Sequence, residues 1–170
     1  MAPITTPLRL AAPADAPRIA ALGIFVWLHT YASDGISDAI ARHVLDSLNE
    51  THIARLIADP ARRLIVAERD NTLLAYAVLR FGGGHRGIRC EIETLYVHPG
   101  FARHGIGGAL LHRARQEALA RCGDAAVWLT VNARNPRALS FYQAQGFVDE
   151  GERGFELDGT QHLNRLLVLA

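Results

Sequence analysis

Leu95-Tyr96-Val97-His98-Pro99-Gly100-Phe101-Ala102-Arg103-His104-Gly105-Ile106-Gly107-Gly108-Ala109-Leu110-Leu111 reads as strand, tight turn, glycine loop and helix. Leu95 to Val97 close an apolar run. Pro99 cannot donate to a strand ladder and Gly100 permits a turn, so the strand stops there. Gly105, Gly107 and Gly108 carry no Cβ, which lets backbone come close to a ligand. The helix beyond would aim its first N–H groups and the positive end of its dipole at whatever sits over the loop. That is the chemistry of phosphate binding at a helix N-terminus. The loop is not a dinucleotide fingerprint, which needs glycine where Leu110 stands, nor a Walker loop, which needs Gly-Lys-Ser/Thr. Taken alone, it also admits a plain tight turn with no ligand.

Working outward, the helix after the loop runs to about Arg121, with Leu110, Leu111, Ala114 and Ala118 on its apolar face and Gly123 just past its end. Residues 90–97 before it and 125–131 after it read as strands. A strand–helix–strand unit predicts that they are parallel and joined by a right-handed crossover. Asn135-Pro136 opens another helix, since Asn caps and Pro suits the first helical position. Residues 147–149 and 163–169 read as two final strands around a turn at Asp158-Gly159. Upstream, residues 63–68 and 73–80 form a hairpin about residues 69–72, and 81–89 reads as a glycine-rich loop.

Nearer the start, residues 1–7 read as a loose tail and 8–10 as a short edge strand. Asp15 is placed as the cap or a first-turn acid of a helix running to about Thr30, with Ile24, Trp27, Leu28 and Tyr31 on one stripe. Ser37 or Asp38 caps a second helix whose buried face is Ile40, Val44, Leu45 and Leu48. A third helical piece covers about 51–58.

The 170 residues fit a single domain spanning 1–170. Hydrophobic content of 49% with 21% charged residues is that of a globular protein, and a net charge of +1 gives no bulk attraction to nucleic acid or a membrane surface. No signal peptide or spanning segment is read, and two cysteines without metal spacing suit a reducing, cytoplasmic setting. The histidines show no ligand spacing, so no metal is expected. His29, His52, His85 and His112 read as surface residues.

Read together, two motifs carry a resemblance. The stretch 95–110 looks like the acetyl-CoA loop of the GNAT superfamily of N-acetyltransferases. About thirty residues on, Leu129-Thr130-Val131-Asn132-Ala133-Arg134-Asn135-Pro136-Arg137-Ala138-Leu139-Ser140-Phe141-Tyr142-Gln143-Ala144-Gln145-Gly146-Phe147 resembles that superfamily's second motif. The likeness covers roughly residues 8–169. One departure is that the family's usual Gln or Arg two residues before His104 is Ala102 here, with arginine next door at Arg103. The resemblance implies an α+β fold in αβα layers: a mixed central sheet of six to seven strands, antiparallel in its first half, with a splayed parallel pair at 90–97 and 125–131. It implies acetyl transfer from acetyl-CoA to a primary amine of a small molecule or peptide. A non-catalytic acyl-CoA-binding regulatory module on the same fold is the alternative. Oligomeric state, a homodimer included, is left open.

On that likeness Leu95, Tyr96 and Val97 offer backbone groups to the pantetheine arm, though their side chains read as core. Arg103, His104, Gly105, Ile106, Gly107 and Gly108 hold the pyrophosphate, and Asn135 both caps its helix and touches the cofactor. A lysine-like amine is nearly all protonated at pH 7, so something must take its proton. Glu91 and Glu93, two apart on a strand, share a face. Glu91 aligns with a glutamate that is the base in some members; Glu93 or water is the alternative, as is a role in binding substrate charge. Tyr142 matches the tyrosine that protonates the leaving thiolate, or is a core aromatic beside Phe141 and Phe147. Cys90 and Cys122 have no neighbouring histidine poised by sequence, so direct transfer is expected rather than an acetyl-cysteine intermediate. Trp27 and Tyr31, one turn apart, are either core, or they wall the acceptor pocket or cradle a cation.

Overall fold

The structure, a computed structural model, describes residues 6–157 and 160–170, and of these every side chain outside 155–162. Seven strands make one mixed sheet in the order β1-β2-β3-β4-β5-β7-β6. They are β1 (Leu8–Leu10), β2 (Arg62–Arg69), β3 (Thr72–His85), β4 (Ile88–Val97), β5 (Val127–Asn132), β6 (Val148–Leu157) and β7 (Thr160–Leu169). The sheet is flanked by helices: α1 (Ala16–Tyr31), α2 (Asp38–Ser47), α3 (Glu50–Ala58), α4 (Ile106–Cys122) and α5 (Pro136–Ala144). β4 and β5 are parallel, with Glu91 opposite Trp128. β5 and β6 both pair antiparallel with β7, and β1 pairs antiparallel with β2 at the sheet's edge. The turn expected at Asp158-Gly159 lies outside the described residues. Among those residues, no helix is long and apolar enough to cross a membrane.

Two tight hairpins build the middle of the sheet. Asp70 and Asn71 (φ 49° and 61°) join β2 to β3, and Arg86 and Gly87 (φ 50° and 87°) join β3 to β4. Paired positive φ values give the turn whose twist matches the strands it connects. The second turn corrects the expectation of a loop at 81–89: Gly82, Gly83 and Gly84 lie inside β3. Ladder hydrogen bonds need only backbone, and no proline interrupts this run, so glycine weakens the strand without ending it.

By backbone contacts the chain divides into two compact units. The first comprises Met1–Leu79 and Thr94–Arg113. Its core packs Ile19, Leu22 and Val26 of α1 and Ile53 of α3 with Leu64, Val66, Tyr76 and Val78, and Tyr96 lies against it. The stripe expected to be buried on α1 is therefore its flank: Ile24, Trp27, Leu28 and Tyr31 are half-buried. Both stripes are apolar, so periodicity alone does not choose between them. Ser37 Oγ accepts from the Ile40 amide and caps α2, but Leu45 is 63% exposed while its neighbour Val44 is buried. Asn49 caps α3 through the His52 amide.

Asp15 holds the N-cap position of α1, but its side chain makes no capping bond to that helix. It is 2% exposed and sits at the centre of an ion network. Its carboxylate accepts from Arg9 Nη1 (2.6 Å) and Nη2 (2.9 Å), Arg18 Nη2 (2.5 Å) and the Ala12 amide (2.7 Å). Glu68 receives the same two guanidinium groups from β2. Hydrogen bonds from Arg9 hold the Asp15 carboxyl well below the usual carboxylate range.

The second unit comprises Arg80–Glu93 and Ala114–Ala170. Trp128 of β5 packs there with Leu166 and Val168 of β7 and with Ile88. α4 buries the expected apolar face, Leu110, Leu111, Ala114 and Ala118, and stops at Gly123 (φ 74°).

Candidate active site

The glycine loop of the first unit has the backbone that anion binding needs. Pro99–Phe101 forms a single turn, with His98 Nδ1 accepting from the Gly100 amide. Arg103 adopts φ 63°, uncommon for a residue with a Cβ, and Gly105 follows at φ 84°. The first helical bond of α4 runs from the Ala109 amide to the Gly105 carbonyl (3.0 Å). The amides of Gly105, Ile106, Gly107 and Gly108 precede it and have no acceptor within the helix. A Cβ built on Gly105 would meet nothing within 4 Å, so the loop faces open space. His104 Nδ1 donates to the Ala102 carbonyl (2.9 Å), which fixes its ring, while Ile106 is buried and anchors the helix start. Arg103 is exposed. Amides aimed outward, an open cradle and an exposed arginine together fit a diphosphate.

The same unit holds a cavity of about 210 Å³. Trp27, His43, His52, Tyr76 and Tyr96 give it ring walls, and Leu48, Ile53, Leu56 and Val78 complete its apolar lining, with Ser47 and Thr94. Trp27 stacks on Tyr31 and on His43, each at 5.0 Å between ring centres. Tyr76 and Tyr96 meet edge to face at 5.6 Å. The Tyr76 hydroxyl lies where a side chain on Gly23 would be, 2.6 Å from an ideal Cβ, so this wall requires glycine on α1. Burial raises the phenol pKa of both Tyr76 and Tyr96 above the ordinary range. Trp27 lines the cavity, and Tyr31 packs on Trp27 without lining it. His52, expected at the surface, lines the cavity instead. His43, Tyr76 and Thr94 escaped the sequence reading because no local motif marks residues that three separate elements bring together.

In the second unit Glu91 and Glu93 do share a face, and Arg80 bridges them. Its Nη2 is 2.5 Å from Glu91 Oε2, and its Nε is 3.1 Å from both Glu91 Oε2 and Glu93 Oε1. Arg80 is the site residue that sequence reasoning missed, since only the strand register discloses the pairing; an arginine closing the apolar run 73–79 was its one signal. Cys90 is fully buried, and burial pushes its thiol up to about 12. Asn135 Oδ1 accepts from the Ala138 amide (3.0 Å), the expected cap of α5. Tyr142, 7% exposed, stands between Phe141 and Phe147 at 5.1 and 5.2 Å. His85, also expected at the surface, pairs with Glu150 at 2.6 Å. The Trp128 indole N–H is buried without a hydrogen-bond partner.

Comparison with known proteins places these features. The profile of the Acetyltransferase (GNAT) family matches residues 30–147. An uncharacterised N-acetyltransferase of Mycobacterium bovis is 37% identical over 125 residues, covering 74% of this chain and 77% of its own. Among solved structures, the PaiA N-acetyltransferase of Thermoplasma acidophilum, in complex with coenzyme A, aligns over 95% of this chain and 98% of its own with a TM-score of 0.74 at 19% identity. YncA of Salmonella typhimurium, a putative acetyltransferase solved with its cofactor acetyl-CoA, aligns over 97% and 93% with a TM-score of 0.65 at 22% identity.

Proposed function

The chain belongs to the GNAT acetyltransferase family and is an N-acetyltransferase that uses acetyl-CoA, and from that premise we propose how its own residues do the work. The observation that carries the assignment is the row of amides ahead of Ala109 over an open, left-handed Gly105. The Gly105 to Gly108 amides hold the pyrophosphate, and Arg103 and His104 flank it. Leu95, Tyr96 and Val97 present backbone groups to the pantetheine amides, as an added strand would. A main-chain N–H of that segment stabilises the oxyanion as it develops. Asn135 contacts the cofactor from the start of α5.

Glu91 accepts the proton of the amine, directly or through one water, and Arg80 fixes the carboxylate in place; Glu93, on the same guanidinium, helps to place the acceptor. The neutral nitrogen attacks the thioester carbonyl and forms the C–N bond; the nitrogen of the tetrahedral species, now cationic, gives its extra proton to water, and collapse of that species breaks C–S. Tyr142 gives its phenolic proton to the departing thiolate as the C–S bond breaks. Solvent then returns a proton to Tyr142 and takes one from Glu91, so the net products of an ammonium and acetyl-CoA are an N-acetyl amide, CoA thiol and one proton. The buried, high-pKa Cys90 supports direct attack over an acyl-cysteine.

Initial velocities with both substrates varied test this reading. Attack within a ternary complex gives intersecting double-reciprocal lines. Parallel lines, with acetyl-enzyme trapped in the absence of amine, would overturn it.

A further inference from the structure

The cavity of the first unit is built for one kind of acceptor. It holds about 210 Å³, below the ~300–1,000 Å³ of a drug-sized ligand pocket. Five of its lining residues are rings, and none of the eleven is acidic. A second ammonium on the acceptor would lose its hydration there without a carboxylate to replace it. Neither imidazole, His43 nor His52, can supply negative charge. Aromatic faces, by contrast, accept an aromatic ring edge-on or offset, at spacings such as the 5.0 Å that Trp27 shows to both Tyr31 and His43.

We infer that this cavity takes the body of the acceptor, and that the acceptor is a compact monoamine carrying one aromatic ring, not a polyamine. The inference rests on the acetyl-transfer reading above. Trp27 is then the specificity-determining wall, held by Tyr31. The edge-to-face pair of Tyr76 and Tyr96, fixed against Gly23, sets the depth of the cavity.

The experiment compares phenethylamine with spermidine, following CoA release with a thiol-reactive chromophore, and measures acetyl-CoA binding separately by calorimetry. The expected result is a kcat/KM at least ten times higher for phenethylamine. Trp27→Ala should raise the KM for phenethylamine tenfold or more and move the KM for acetyl-CoA less than twofold, and Trp27→Phe should recover most of the loss. His43→Asp, which adds the missing carboxylate, should narrow the preference by about tenfold; it keeps the inference testable if Trp27→Ala does not fold. Equal or better use of spermidine overturns the inference, as does bound acetyl-CoA with neither amine consumed. Failure of acetyl-CoA to bind would instead bring down the acetyl-transfer reading on which it rests.

Discussion

Arg80 Nη2 lies 2.5 Å from Glu91 Oε2, while the Nε of the same guanidinium lies 3.1 Å from Glu93 Oε1. One cation therefore orients two carboxylates, and the pair has two separable roles. Glu91→Gln should lower kcat by about 10² to 10⁴, the usual weight of a positioned base, with the KM for acetyl-CoA little changed. Glu93→Gln should cost less than about tenfold and act mainly on the KM for the amine. Steady-state kinetics of the two variants decide between them; equal losses in kcat would assign the proton transfer to the pair rather than to Glu91.

Tyr142 packs between Phe141 and Phe147, so its ring and its hydroxyl can be tested apart. Tyr142→Phe keeps the ring contacts and removes the proton. It should lower kcat about 100-fold while acetyl-CoA affinity stays within about twofold. Thermal melting of the same variant should move by only a degree or two. Unchanged turnover would return Tyr142 to the core.

Gly105 sits at φ 84° with open space around its missing side chain. Gly105→Ala therefore clashes with nothing in the fold and costs only the left-handed backbone penalty, about 1 kcal/mol. For a chain of this length that is a fall of about 2–4 °C in melting temperature. The methyl group would stand over the loop, however, so the KM for acetyl-CoA should rise about tenfold and the KM for the amine should not. A variant that melts earlier but binds acetyl-CoA normally would place the diphosphate elsewhere.

The features that sequence alone disclosed are those fixed by neighbours along the chain. The loop at Gly105, the buried face of α4, the cap at Asn135 and the turn at Asp70-Asn71 all depend on residues within a few positions. What escaped depends on pairing across distance. Arg80 meets Glu91 only because the β3–β4 hairpin continues through three glycines, a run that reads locally as loop. Trp27, His43, His52 and Tyr96 line one cavity from four elements, and no spacing announces that. α1 offered two apolar stripes, and the sheet it packs on, not its own pattern, selected Ile19, Leu22 and Val26 for the core.

Asp15 gives the same lesson in electrostatic form, because its partner Arg9 also bridges to Glu68 on another strand. Its folded carboxyl pKa is depressed below the unfolded value near 3.9. Ionised Asp15 thus contributes stability that is fully present above about pH 5 and is lost as pH falls through 4 toward the folded value, since the unfolded chain takes up the proton first. Denaturant midpoints should therefore decline below about pH 4.5 in the parent protein. Asp15→Asn removes the charge and leaves Arg9 and Arg18, both reaching solvent, with one acceptor fewer; it should cost about 2 kcal/mol at pH 7, or 4–8 °C. The gap between variant and parent should then shrink as pH drops toward 3. A gap that stays constant across that range would mean that Asp15 acts through packing rather than charge.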